Sequence, residues 1–380
     1  MYDAGRILHP LVVNKLRTFT GTDCAFLVVG TGSLFVFLLI VLTALYYKIR
    51  LPLAISALLI FSYHLFVLYH DLYIQTIFFI ALSSIYWLLL LYKRYLLSFV
   101  VLFLLLLTRD EAVIILFSFI LAVLLHMTQG RKRRLYYLYI LTAFLIGGAG
   151  CFIIMYNMRN NSNIHNMPAL FFYFIRIPFW TIRNFAGFAL WVDTYRGLPS
   201  YVHNPIMVFD APAWLRSISV IKQIGIYNWG LSNILRTLLF ISSVFGTGPT
   251  ILLYFLKNKT IKIVDQSLAF TAMLFSGSII FVSAFFIGPP LSRYYFNAWP
   301  LFFLIMPLYL KSIYHFDKRT LVRIMCCYAA SAWLYTLTLV ARNLIVFLSL
   351  ILFEIALHLY TWGILSAISK KIDYLYLEKI

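Results

Sequence analysis

The sequence is short of charge and shorter still of acid. Only 11% of its 380 residues are charged, and 12 aspartates and glutamates face 31 lysines and arginines. A soluble domain carries about 25% charge, and a chain of this length cannot hide 63% hydrophobic residues from water, because surface grows almost as fast as volume. Cysteine is scarce too. Cys24, Cys151, Cys326 and Cys327 are too few, and too apolar in setting, for a disulfide framework or a zinc site, and they read as small core residues. No segment alternates apolar and polar with a period of two, as a transmembrane β-barrel requires. P-loop, dinucleotide fingerprint, catalytic triad and cysteine–histidine metal spacing are all missing, as are internal repeats and low-complexity linkers.

What is present in quantity is apolar sequence, with a mean hydropathy of +0.91. Lipid is the solvent that suits it. Runs at 24–47, 51–70, 72–92, 96–108, 112–128, 135–156, 235–256, 266–288, 296–310, 322–341 and 344–368 approach the ~20 residues that cross a bilayer as a helix. The expected fold is therefore an all-α integral membrane protein, with about eleven transmembrane or re-entrant helices in one polytopic domain over residues 1–380. The net charge of +19 does not point to nucleic acid, because the cations cluster at the ends of the apolar runs. Alternate connections carry Lys48 and Arg50; Lys93 and Arg94; Arg131 to Arg134; Lys257, Lys259 and Lys262; then Lys311, Lys318, Arg319 and Arg323. Lys370, Lys371 and Lys379 follow in the tail, whereas Arg109, Arg293 and Arg342 stand isolated in the other connections. This asymmetry predicts a multi-pass protein of the cell (inner) membrane, with basic loops and C-terminus in the cytoplasm and residues 1–23 outside. Arg6, Lys15 and Arg17 suit export poorly. We expect either a further helix upstream or an N-terminal segment lying along the interface, and favour the former.

Two stretches depart from ordinary spans. Residues 96–108 cover only ~20 Å as a helix, and basic clusters flank both ends of the 96–128 hairpin, so the chain goes up and returns. Its turn, Thr108-Arg109-Asp110-Glu111, lies at or below the outer surface, where charges must be paired or face water. Between residues 157 and 234 lies the one large outer loop, roughly 80 residues and far longer than ordinary connections. Its aromatic segments at 168–191 and 211–229 suit an interfacial position, and it carries Arg176, Arg183, Arg196 and Arg216.

With so little acid outside, each carboxylate can be weighed. Asp3 reads as a general base at a cavity mouth or as a solvated terminal residue. His70-Asp71 reads as an acceptor-orienting or divalent-metal pair, or as helix-cap polarity. Arg109 and Glu111 read as a phosphate grip held by a fixed carboxylate, or as a salt bridge internal to the hairpin. Arg293-Tyr294 follows the helix-breaking Gly288-Pro289-Pro290; an arginine against the charge rule calls for an anion such as a lipid headgroup, while tyrosines there are common belt residues. Glu354 and His358 share a face of the last span, as a relay or ion site or as a structural hydrogen bond.

In this order the features resemble the C-type superfamily of integral-membrane glycosyltransferases, which take a sugar from a polyprenyl-phosphate carrier on the outer face. Tyr2-Asp3-Ala4-Gly5-Arg6-Ile7-Leu8-His9-Pro10-Leu11 is similar to the family's first outer loop, with Asp3 at the acidic position. Thr108-Arg109-Asp110-Glu111-Ala112 is similar to its Thr/Ser-Arg-x-Glu stretch, and Arg293-Tyr294 through Pro300 and Pro307 to its late arginine–tyrosine pair before a proline-containing helix. The likeness covers most of residues 1–311 through short, degenerate motifs. The family's first helix has no counterpart before Asp3, and Asp71 is the best match to its second outer acid. The resemblance implies transfer of a sugar to a glycan or lipid acceptor in cell-envelope assembly. Asp3 and Asp71 would be catalytic, with Arg109, Glu111, His70, Arg293 and Tyr294 binding substrate. No cofactor is demanded, and a divalent metal is compatible. Two rivals share the gross features: an O-antigen-type polysaccharide polymerase or ligase, with its arginine-bearing outer loop, and a transporter or flippase, which would show paired halves that are not seen here.

Overall fold

The computed structural model describes residues 8–20, 25–61, 75–109, 111–129, 138, 188–190, 208–210, 226–230, 245–257, 267–287, 297–308, 310–311, 317–340 and 344–377. These are overwhelmingly helical. Helix α1 covers Leu8–Thr20, α2 Ala25–Thr43, α3 Leu53–Phe61, α4 Gln75–Leu91, α5 Tyr95–Leu106 and α6 Ala112–Gln129. Later come α7 (Gly248–Lys257), α8 (Leu268–Ile287), a helical stretch at 299–308 holding the π-helical segment Leu301–Ile305, α9 (Lys318–Val340) and α10 (Leu344–Leu377).

Most of the apolar runs emerge as helices with little change. The run at 24–47 becomes α2 and a π-helical turn, Ala44–Ile49; those at 72–92, 96–108, 112–128 and 266–288 become α4, α5, α6 and α8. Helix α9 begins at Lys318 rather than near 322, because Asp317 caps it: Oδ1 accepts the backbone N–H groups of Arg319 and Thr320 at 3.0 and 3.2 Å. That first turn is basic, so hydropathy does not register it. Helix α10 likewise runs past 368 into a polar end at Leu377. The run at 135–156 lies outside the described residues except for Leu138, and so does nearly all of 157–234.

Inside that long connection the described residues add three short strands to the otherwise helical chain. Strands β1 (Phe188–Leu190), β2 (Val208–Asp210) and β3 (Ile226–Gly230) form one antiparallel sheet with β3 in the middle. Phe188 stands opposite Trp229, and Asp210 opposite Asn228. The strand sequences are rich in aromatic and β-branched residues, which suit a pleated, half-buried surface. Of the aromatic segments 168–191 and 211–229, only 188–190 and 226–229 lie among the described residues, and they are strand.

Among the described residues two stretches are long and apolar enough to cross a membrane, Leu27–Ile49 and Leu348–Ile368. About a third of the most apolar part of the first and a sixth of that of the second is buried, less than an enclosed core helix shows, which favours a membrane setting. Apolar side chains cover every side of α2: Phe37 and Val41 point into the bundle, while Val28, Phe35 and Leu39 point out. Thr76–Leu91 of α4, α5, Ala112–Thr128 of α6 and Leu268–Ser283 of α8 are apolar but shorter. The core runs through Trp87, Phe119, Phe245, Trp299 and Phe302, with Phe245 stacked on Phe302 at 3.7 Å between ring centroids. Indole Trp299 donates Nε1–H to Ser83 Oγ at 3.1 Å and meets the edge of Phe37. Of the two described cysteines Cys327 is buried, but Cys326 is exposed and so not the core residue expected.

Helices α2 and α4 finish side by side, with Lys48 Nζ 3.7 Å above the Tyr92 ring. Both close on a left-handed residue that is not glycine, Arg50 (φ 61°) and Lys93 (φ 57°). Lys93 N–H reaches Leu90 O at 2.9 Å and Arg94 N–H reaches Leu89 O at 2.8 Å, a Schellman closure. At Arg50 the following N–H, of Leu51, reaches Leu45 O at 3.1 Å, and Pro52 stops the helix. Each left-handed side chain costs about 1–2 kcal/mol, more than the ~0.3–1 kcal/mol a cation gains from a helix C-terminus.

Glycine sets two close approaches. Gly246 (φ +47°) turns the chain into α7 against the backbone of Tyr328, and a Cβ there would collide with its carbonyl oxygen. Gly277 lets α8 lie against the 299–308 stretch, where a Cβ would come 2.5 Å from Leu301 Cβ. Gly32 and Gly363 face nothing within 4 Å. Gly277→Ala should therefore cost about 1–3 kcal/mol and Gly246→Ala still more. Gly32→Ala and Gly363→Ala should be neutral or stabilising by up to ~1 kcal/mol. Denaturant unfolding of the purified variants checks this ordering, and equal effects at all four sites would refute the packing described.

Candidate functional site

The site begins where α5 ends. Its last carbonyls hold the turn, with Arg109 N–H on Leu105 O at 3.1 Å and the Thr108 hydroxyl on Leu104 O at 2.8 Å. Helix α6 starts at once, Ala112 N–H reaching Arg109 O at 3.2 Å. Arg109 and Glu111 thus leave adjacent helix ends within three residues. The turn buries Arg109, which keeps 4% exposure.

A guanidinium so placed must be paired, since an uncompensated charge out of water costs several kcal/mol. It is. Nε donates to Glu111 Oε2 at 3.0 Å, and Nη2 donates to Glu111 Oε1 in a bidentate pair. Nη1 donates to Thr76 Oγ1, at the start of α4, at 2.7 Å. Phe79, one turn along α4, lies under the guanidinium with its centroid 5.7 Å away. From the far side Asn297 Nδ2 donates to Glu111 Oε1 at 3.4 Å, while Asn297 Oδ1 is buried with no hydrogen-bond partner. The Leu8 N–H, opening α1, donates to Leu107 O at 3.3 Å. Four chain segments therefore meet at this end: the start of α1, the start of α4, the α5–α6 turn and the residues entering the 299–308 stretch.

Of five guanidinium N–H bonds, these contacts use three. The other two have no acceptor among the described residues, so the arrangement can offer fixed donors to an oxyanion in a setting already neutralised by Glu111. Arg109 and Glu111 are the two candidates that the structure brings together. Asp3, His70, Asp71, Arg293 and Tyr294 lie outside the described residues. Thr76 and Asn297 escape the sequence reading. Thr76 is one hydroxyl at the head of an apolar run and carries no signal. Asn297, the only amide between Gly288 and Lys311, is a signal that composition alone does not weigh.

A second buried polar cluster ties α7, α9 and α10. Glu354 Oε1 accepts the Ser331 hydroxyl and lies 3.1 Å from His358 Nε2, while His358 Nδ1 lies 2.5 Å from Thr250 Oγ1. The helix-sharing pair read from the sequence is thus a hydrogen bond extended to two further helices. Among the described residues no three histidine, cysteine, aspartate or glutamate side chains gather as metal ligands, so the metal expectation rests on His70 and Asp71 alone.

With the geometry stated, comparison with protein families, with curated proteins and with solved structures finds no match.

Removing one partner of the buried pair leaves the other charge uncompensated. Glu111→Ala should lower stability by about 3–5 kcal/mol and Arg109→Ala by less, because Glu111 keeps contact with solvent, while Arg109→Met with Glu111→Leu should recover most of that loss. A double-mutant cycle by denaturant unfolding measures the coupling, and additive losses would mean that the pair contributes nothing jointly. Glu354→Ala should cost about 2–4 kcal/mol by stranding the Ser331 and His358 donors, and Glu354→Gln much less. Indistinguishable melting of those two variants would contradict the three-helix junction.

Proposed function

We propose that the chain is a polytopic membrane glycosyltransferase of the cell-envelope type, with about eleven transmembrane or re-entrant helices and the 157–234 connection on the outer face. It moves a sugar from a polyprenyl-phosphate carrier to a glycan or lipid acceptor. The observation that carries the reading is the convergence on Arg109. Each candidate residue outside the description is a few residues along the chain from a group that meets there. Asp3 precedes Leu8, His70 and Asp71 precede Thr76, and Arg293 and Tyr294 precede Asn297. At most six residues separate each of them from that meeting point, a reach of at most ~22 Å of extended chain, which supports reading them as parts of one site. The opposite ends of α2 and α4 carry Lys48, Arg50, Lys93 and Arg94, as expected of a cytoplasmic side. That puts Arg109 and the C-terminus across the bilayer from each other in this reading.

The chemistry then follows. The acceptor hydroxyl attacks the anomeric carbon, the bond to the carrier phosphate breaks, and the phosphate leaves with the bonding electron pair. Asp3 takes the hydroxyl proton. Arg293, together with the two remaining N–H groups of Arg109, meets the growing charge on the leaving phosphate. Glu111 and Thr76 hold the guanidinium in one orientation, so little reorganisation accompanies the step. Asp71 and His70 orient the acceptor or hold a divalent metal.

Reconstitution in liposomes with a polyprenyl-phosphate-linked radiolabelled sugar tests this. Asp3→Asn should reduce transfer about 10²–10⁴-fold with membrane insertion intact, and Arg293→Gln should reduce it with little change in acceptor affinity. Transfer at the unaltered rate in Asp3→Asn removes that residue from the chemistry. Products many units long would instead indicate a polymerase, and sugar uptake without carrier lipid a transporter.

A further inference from the structure

The end of the bundle away from Arg109 carries its own unexplained feature. The π-helical turn Ala44–Ile49 buries Ala44, Leu45 and Ile49 and turns Tyr46, Tyr47 and Lys48 outward. Arg50 follows, exposed, in the left-handed conformation. Beside it, at the close of α4, Tyr92, Lys93 and Arg94 are all exposed, and Lys93 is left-handed too. The Lys48–Tyr92 contact brings the two closures together, so four cations and three tyrosines share one surface. No carboxylate pairs with any of the four cations among the described residues.

Retention of positive charge on the cytoplasmic side explains why these residues are basic. It does not explain why two of them occupy the backbone positions where glycine or asparagine is at ease and a long side chain is strained. Favourable charge at a helix end does not explain it either, since Lys48 and Arg94 already supply that without strain. Strain kept at two adjacent turns points to a use for the side chains placed there. A residue at such a closure projects beyond the helix end, into the plane where phospholipid phosphates lie, and the tyrosines flank it at headgroup depth. We propose that Lys48, Arg50, Lys93 and Arg94 form a docking site for the phosphate of anionic phospholipids in the cytoplasmic leaflet. This rests on the membrane part of the function proposed above and not on sugar transfer.

The test uses the full chain in phosphatidylcholine vesicles with and without phosphatidylglycerol, reading both thermal melting and the relative association of the two lipids by fluorescence quenching. The wild type should melt higher with phosphatidylglycerol, and salt should erase the increment. The Arg50→Gly/Lys93→Gly variant should melt no lower than wild type in phosphatidylcholine alone, because its turns are relaxed. It should lose most of the phosphatidylglycerol increment, with anionic preference falling about fivefold per cation. Arg50→Asn/Lys93→Asn should behave alike, and Arg323→Gln, exposed at the basic start of α9, should keep the increment. The proposal fails if the glycine variant keeps the increment, or if Arg323→Gln loses it equally, since the effect would then belong to diffuse charge. It fails too if soluble glycerol phosphate raises the wild-type melting temperature as much as the vesicles do. Release of the chain from vesicles by alkaline extraction would instead refute the membrane reading itself.

Discussion

Burying one guanidinium fixes more of this molecule than any other event. Arg109 leaves water where α5 gives way to α6, and from that moment its N–H groups need acceptors in fixed places. Glu111 supplies two, which requires α6 to start within a single turn. Thr76 supplies a third, which draws the head of α4 alongside. Glu111 then has an oxygen to share, and Asn297 takes it, which brings in the residues ahead of the 299–308 stretch. A short hairpin thereby becomes the meeting point of helices far apart in sequence.

The Glu354 cluster does similar work for α7, α9 and α10, but with a different balance. Hydroxyl and imidazole groups, rather than a guanidinium, surround the carboxylate, so the cluster joins helices without strong bidentate geometry. Between the two polar junctions the contacts are aromatic and close. Gly246 and Gly277 remove side chains where backbones must touch, and Phe245, Phe302 and Trp299 fill the space that opens beside them. Apolar packing gives the bundle its bulk, whereas the half-buried Glu111 and the buried Glu354 decide which helices are neighbours.

This division explains what the sequence could and could not disclose. Long apolar runs such as 24–47 and 266–288 are legible because hydropathy alone marks them. Arg109 and Glu111 are legible because charge in an apolar setting is expensive and therefore noticeable, as are Glu354 and His358 at helical spacing. Thr76 is not, since nothing local to one threonine announces an arginine thirty-three residues away. The start of α9 at Lys318 is hidden because a capped, basic first turn reads as loop. The strands around Phe188, Val208 and Ile226 are hidden for another reason: their pairing is non-local, and each is too short to display a period. The left-handed Arg50 and Lys93 are invisible in sequence, where a basic residue after an apolar run looks like routine flanking charge.

The two ends of the bundle differ in how they treat positive charge, and the difference bears on the proposed chemistry. At the Lys48–Tyr92 end, cations stand exposed with no carboxylate partner among the described residues, suited to a permanent field that holds an anionic surface. At the other end the charge of Arg109 is cancelled by Glu111, and this arginine offers directional N–H donors. A carrier phosphate that must arrive, lose its sugar and then depart as an anion is poorly served by uncompensated charge, which would hold the product as firmly as the transition state. Donors whose net charge is already balanced favour oxyanion geometry without so strong a grip on the departing lipid. On this view Glu111 is more than scaffolding: it lets a buried arginine take part in turnover rather than become an anion trap.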